Sequence, residues 1–158
     1  MRPAPTASAV RAGLRGGELV QRLTALLGPG KVLGTREDLI IYEYDGVVDK
    51  TTPDAVVRPN DTADVARLAR YCHEHRVPIL PRGAGAGLSG EAIPAEGGVV
   101  ASFARMARIL EMDVANRRAV VQSGLINLHP RTAAAPHGLY SPTHLMDALD
   151  RVDAEIRA

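Results

Sequence analysis

The sequence predicts an α+β fold, built from a βαβ unit and a small mixed sheet, and three observations carry that expectation. A capped amphipathic stretch beginning at Thr62 lies between two short apolar runs, Ala55-Val56-Val57 and Val77-Pro78-Ile79-Leu80. A glycine-rich bend follows the second run directly, and two strand-like stretches then flank the polar tetrapeptide Ala115-Asn116-Arg117-Arg118. At 158 residues, 46% of them apolar, the chain has enough material for the core of one ordinary domain. Only 3% are aromatic and none is Trp, so that core must be assembled from Ala, Val, Leu and Ile.

Taken in order, residues 1–17 bear Arg2, Arg11 and Arg15 and no acid, with no apolar run of secretory-signal length. They are expected to be a disordered tail, although an organellar transit peptide would share that composition. Residues 18–27 place Leu19, Val20, Leu23, Leu26 and Leu27 on one helical stripe that stops at Gly28-Pro29-Gly30. Residues 35–44 can hold a further helical turn. After the strand at 55–58, closed by Pro59, the cluster Asn60-Asp61-Thr62 caps a helix whose apolar positions are Val65, Leu68, Ala69 and Cys72. The helix ends near Arg76, and residues 77–80 read as a buried strand. The two strands should be parallel with a right-handed crossover.

Beyond the bend, residues 98–103 read as a strand. Residues 109–114 and 119–124 read as an antiparallel hairpin that would make the sheet mixed. Residues 128–135 can be helical. Ser141-Pro142 then starts a C-terminal amphipathic helix with Leu145, Leu149, Val152 and Ile156 in one stripe.

Nineteen basic and eighteen acidic residues leave a net charge of +1 without a basic stripe, which argues against nucleic acid as a partner. No stretch reaches the roughly 20 apolar residues of a transmembrane helix. A single cysteine, Cys72, excludes an internal disulfide, no Cys/His cluster has metal-ligand spacing, and a reducing, cytoplasmic setting is expected. Cys72 falls on the apolar stripe of its helix and reads as core. His73 and His75 point to different faces, His129 and His137 lie beside prolines, His144 lies in the tail, and all read as solvated.

The chemistry resides in Pro81-Arg82-Gly83-Ala84-Gly85-Ala86-Gly87-Leu88-Ser89-Gly90. Glycines after a strand let backbone N–H groups converge where a Cβ would obstruct, as a phosphate or diphosphate requires. Arg82 can add charge or pair with a carboxylate, and Ser89 can add a hydroxyl. Taken alone, the stretch could also be a glycine-rich surface turn, but its place between two apolar strands favours a cradle. Gly85-x-Gly87-x-x-Gly90 matches the Rossmann fingerprint literally, yet Pro94, Gly97 and Gly98 block the helix that fingerprint must open. No Lys-Ser or Lys-Thr pair completes a Walker motif.

Val57-Arg58-Pro59, the helix from Thr62, residues 77–90 and Glu96-Gly97-Gly98-Val99-Val100 together resemble the FAD-binding (PCMH-type) domain of the vanillyl-alcohol oxidase and p-cresol methylhydroxylase superfamily. Within it the likeness is to the glycolate oxidase D-subunit and D-lactate dehydrogenase group. Residues 42–46 and the run from Arg105-Met106 to Gly124 extend it, so that it covers roughly residues 36–140. It implies noncovalent FAD, its diphosphate held by Gly83, Ala84, Gly85, Ala86, Gly87, Leu88, Ser89 and Gly90, with Arg82, the Pro59 turn and Gly124 close to the cofactor. Ala86 replaces a common Thr or Ser, and Glu91 replaces a glycine. Past Tyr140 the family's Pro-Asp-Pro-Ser-Ser stretch and second Gly-Gly loop do not follow.

The expected division is therefore a tail at 1–17, the N-terminal part of an FAD-binding domain at 18–140, truncated, and a divergent helix at 141–158. The implied function is the FAD-gripping part of a 2-hydroxy-acid dehydrogenase or oxidase. Its expected partners are FAD and the remainder of the enzyme or other subunits of an oxidase complex. No catalytic or metal-binding residue is assigned. The competing readings are a noncatalytic flavin- or diphosphate-binding module and an inactive truncated gene product.

Overall fold

The computed structural model describes residues 16–43, 52–83 and 97–140. They fall into two compact units, divided between Met106 and Ala107. The first unit opens with helix α1 (Gly16–Leu27), whose i, i+4 spacing of Leu19, Leu23 and Leu27 buries one stripe. Strand β1 (Val32–Leu33) follows, then a helical turn α2 (Arg36–Leu39) capped by the Thr35 hydroxyl, and a 3-10 turn (Ile40–Tyr42). Strand β2 (Ala55–Val57), helix α3 (Thr62–Glu74), strand β3 (Ile79–Arg82) and strand β4 (Val99–Ser102) complete the unit, with a 3-10 turn at Phe103–Arg105.

The sheet order is β1-β2-β4-β3. β2 and β3 each pair parallel with β4, so the strands of the βαβ unit are parallel as expected, with β4 seated between them. β1 pairs antiparallel with β2. The mixed character of the sheet thus comes from this two-residue strand, too short to leave a periodic signal, and not from the hairpin.

Side chains alternate across the sheet. Ala55, Val57, Val99 and Ala101 face a core with Leu19, Leu23 and Leu27 of α1 and Leu68 and Cys72 of α3. Val56 and Val100 face the other side, against Leu39, with Leu33, Tyr42 and Leu80 around them. β4 is buried along its whole length, as a central strand covered on both faces must be. β3 corrects the expectation of a buried strand. It begins two residues later than the apolar run and lies at the edge, with Ile79 39% exposed. Pro81, which has no N–H to give a ladder, is tolerated there because an edge strand pairs on one side only.

Gly98 closes the entry to β4. Its N–H donates to Asp54 Oδ2 at 2.7 Å, its carbonyl accepts from the Asp54 amide at 2.8 Å, and its φ is +92°.

Cys72 is 1% exposed, and burial pushes its thiol up to about 11. Thiolate is the reacting form, so labelling by a disulfide reagent at pH 8 should be on the order of a hundredfold slower in the folded protein than in denaturant. Rapid labelling without denaturant would show that α3 opens independently. His73, His75, His129 and His137 are exposed as expected, and His144 lies outside the described residues.

The second unit holds the expected hairpin, β5 (Ile109–Asp113) and β6 (Arg118–Val121), as a separate two-stranded sheet. Its turn is held by the Asp113 carboxylate, which accepts from the Asn116 amide and side chain. These bonds hold its carboxyl below the ordinary value. Arg117 takes the left-handed position, at φ +54°. Helix α4 (Leu128–Ala134) runs into a 3-10 turn (Ala135–His137) ended by Gly138. The stripe expected at 145–156 lies outside the described residues.

Candidate cofactor site

Parallel strands align their carboxyl ends at one edge, which is where open sheets of this kind receive ligands. In the first unit Val57 is level with Ala101, and Arg82 is level with Ser102. The segment Arg58-Pro59-Asn60 therefore leaves the same edge as Gly83 and the turn at Phe103–Arg105. Of the residues singled out from the sequence, Pro59, Arg82 and Gly83 are thereby brought together, on two strands separated by β4, roughly 10 Å apart across the ladder. Ala84, Gly85, Ala86, Gly87, Leu88, Ser89 and Gly90 lie outside the described residues, as does Glu91. The chain departs for that loop from Gly83 at the carboxyl edge and returns at Gly97-Gly98, before the start of β4. Gly124 is buried in the turn after β6, in the second unit.

The edge is stiffly built. Pro59 is fully buried and fixes the turn into α3. Asp61 caps that helix, accepting from the Asp64 amide at 2.8 Å. Asp64, 0% exposed, reaches back and accepts from the Asn60 amide at 3.0 Å, a capping box displaced by one residue. Lys31 donates to both Asp64 carboxylate oxygens, at 2.9 and 2.7 Å, and Arg67 donates to Oδ1. Burial pushes the Asp64 carboxyl up, but the hydrogen bonds from Lys31, the Asn60 amide and Arg67 and the Lys31 charge outweigh it, and the group sits below the ordinary 3.8. The Asn60 side-chain carbonyl accepts from Arg105 Nη1 at 3.4 Å, tying the end of β2 to the end of β4. Arg82 extends over the Tyr42 ring, its guanidinium carbon 5.5 Å from the centroid. The neighbouring Glu43 carboxylate accepts from the Thr52 hydroxyl at 2.6 Å.

Asp64 and Lys31 were not singled out from the sequence, and Asn60 and Arg105 entered it only through the helix cap and the family likeness. The Asp61-x-x-Asp64 spacing could have flagged Asp64 as a capping residue. Lys31, 33 positions away, leaves no local signal. A negatively charged, extended ligand suits this edge. It presents guanidinium groups, a rigid turn and the start of a loop with few side chains, and the buried Asp64 carboxylate is already matched by two cations. Among the described residues no cluster of His, Cys, Asp and Glu could hold a metal ion, and no helix is long and apolar enough to cross a membrane.

A family model described as an FAD binding domain matches residues 53–151, reaching past the expected end of the likeness at 140. The glycolate oxidase subunit GlcD of Bacillus subtilis (strain 168) is 38% identical over 126 residues, covering 79% of this chain and 27% of the relative. GlcD of Escherichia coli (strain K12) is 46% identical over 114 residues, covering 71% and 23%. The crystal structure of p-cresol methylhydroxylase with substrate bound superposes with a TM-score of 0.68 at 25% identity, covering 77% of this chain and 25% of that one. The chain thus spans about a quarter of the length of these relatives, and its α+β architecture is that of the PCMH-type FAD-binding fold.

Proposed function

This chain belongs to the FAD binding domain family, and from that premise we propose that it is the diphosphate-gripping part of an FAD-linked 2-hydroxy-acid dehydrogenase or oxidase of the glycolate type. The observation that carries the reading is the convergence of Pro59, Arg82 and Gly83 on the carboxyl edge of the parallel strands, from which the glycine-rich loop departs. In this reading residues 18–140 form the N-terminal part of the FAD domain.

Each group has a role that follows from its chemistry. Backbone N–H groups of Gly83, Ala84, Gly85, Ala86, Gly87, Leu88, Ser89 and Gly90 are the proposed donors to the diphosphate, a role that needs a loop with few side chains. Arg82, steadied by Tyr42, adds a fixed positive charge. The Pro59 turn gives the cofactor a wall that does not yield, and Gly124 is assigned a place close to the cofactor by the family likeness alone. Binding is noncovalent, because the loop has neither His nor Cys. The flavin, once bound, supplies the acceptor for the hydride lost by the hydroxy-acid carbon. The base and the cations that hold the substrate carboxylate come from the remainder of the enzyme, on this or another polypeptide, in the cytoplasm.

Titration of the purified protein with FAD, followed by flavin fluorescence, tests this. Saturable binding is expected, and Gly85→Val with Gly87→Val should weaken it at least tenfold by placing Cβ groups between the amides and the phosphates, an effect of roughly 1.4 kcal/mol or more. Equal affinity in the double variant would remove the loop from the site.

A further inference from the structure

Arg58 and Ser102 stand unassigned at the same edge. Val56 and Val100 face the Leu39 cluster, as does Leu80. Two residues further along each strand, alternation brings Arg58, Ser102 and Arg82 out on that face too. Arg82 and Ser102 are register partners, and Val57 with Ala101 sets Arg58 level with them. The three positions are therefore level with one another across the ends of β2, β4 and β3. Ser102 is 3% exposed. Arg58 is half-buried, its amide donates to the Lys31 carbonyl at 2.7 Å, and its Nη2 makes a long bond of 3.4 Å to the Gly30 carbonyl. Its Nε–H is buried and has no hydrogen-bond partner among the described residues.

A buried guanidinium N–H without an acceptor is costly, and such an orphan in a folded protein calls for a ligand or an ion. The nearby Asp64 carboxylate does not serve it, being occupied by Lys31, Arg67 and the Asn60 amide. Guanidinium presents a planar fork matched to a phosphate oxygen pair. We propose that Arg58 and Ser102, together with Arg82, form an oxyanion-binding row, and that Arg58 Nε and the Ser102 hydroxyl donate to the phosphate oxygens of a diphosphate. This rests on the flavin reading for the identity of the ligand, the cofactor's own diphosphate, but not for the existence of the row.

Inorganic pyrophosphate and FAD are the two probes, with binding measured by calorimetry and by thermal shift. The wild-type protein should bind both, in competition. Arg58→Met should weaken both by on the order of tenfold or more, as loss of a hydrogen bond to a charged group predicts. Its unliganded melting temperature should be little changed. Arg58→Lys, which keeps the charge without the Nε–H, should fall between, and Ser102→Ala should weaken both by about threefold. The lysine and alanine variants carry the test if Arg58→Met does not fold. FAD and pyrophosphate affinities that do not respond to any of the three substitutions overturn the row and leave the flavin reading standing. Pyrophosphate binding that depends on Arg58, without FAD binding, keeps the row and overturns the flavin reading. Absence of binding by either probe overturns both.

Discussion

Replacing Asp64 by Ala is expected to lower the unfolding free energy by about 3 kcal/mol, because it removes the acceptor for Lys31, Arg67 and the Asn60 amide in one step. In a unit of this size that is a fall of about 10 °C or more in Tm, read by far-UV circular dichroism. Asp64→Asn, which keeps an acceptor for the Asn60 amide but loses the charge, should fall between. The same comparison has a defined pH dependence. The folded-state carboxyl lies below its unfolded value of 3.8, so its contribution is complete above the unfolded value and is lost as pH falls through the folded one. The gap between the wild type and Asp64→Ala should therefore be constant near neutrality and narrow below about pH 4. A gap under about 1 kcal/mol at pH 7 would mean that the three donors find water as readily as carboxylate.

Gly98→Ala should cost a comparable amount, about 3 kcal/mol, for a reason that lies in the backbone. A Cβ at that position would sit 2.5 Å from the Pro78 carbonyl oxygen and 2.8 Å from Pro78 Cβ, at a φ of +92° that L-residues rarely adopt. Either β4 or the segment entering β3 must move. Both edges of the parallel pairing start there, so the loss should appear as a lower denaturant midpoint with an unchanged slope. Gly138→Ala is the control. It too has positive φ, +68°, but a Cβ there meets nothing within 4 Å, so only the conformational strain of about 1 kcal/mol should remain. Equal effects from the two substitutions would show that the close approach to Pro78 relaxes freely.

Helices and the hairpin were legible wherever the pattern was long enough to repeat. Leu19, Leu23 and Leu27 announce α1, and Asp61 with Leu68 and Cys72 announces α3 to within two residues of its end. The polar tetrapeptide at 115–118 places the hairpin turn to within one residue, since the turn is 114–117 and Arg118 already pairs with Asp113. β1 was not legible, because two residues hold no period. The burial of β3 was misjudged, because Val77, Ile79 and Leu80 are apolar whether a strand lies inside a sheet or at its rim. Pro81 was the residue that could have placed it at the edge. The candidate site was half legible. The glycine loop, Arg82 and Pro59 are local motifs, whereas the Lys31–Asp64 pair joins positions 33 apart, and Arg58 draws its interest only from a buried N–H with no partner among the described residues.

By itself, then, the sequence determined the helix stripes, the βαβ unit, the hairpin and the flavin family, because each is written in residues close together along the chain. The tertiary structure alone decided that β4 inserts between β2 and β3, which strand forms the rim, and which charges meet at the carboxyl edge. Strand order and ion pairing are settled by whichever distant surfaces bury the most apolar area and satisfy the most buried polar groups together, and no window along the chain contains both partners.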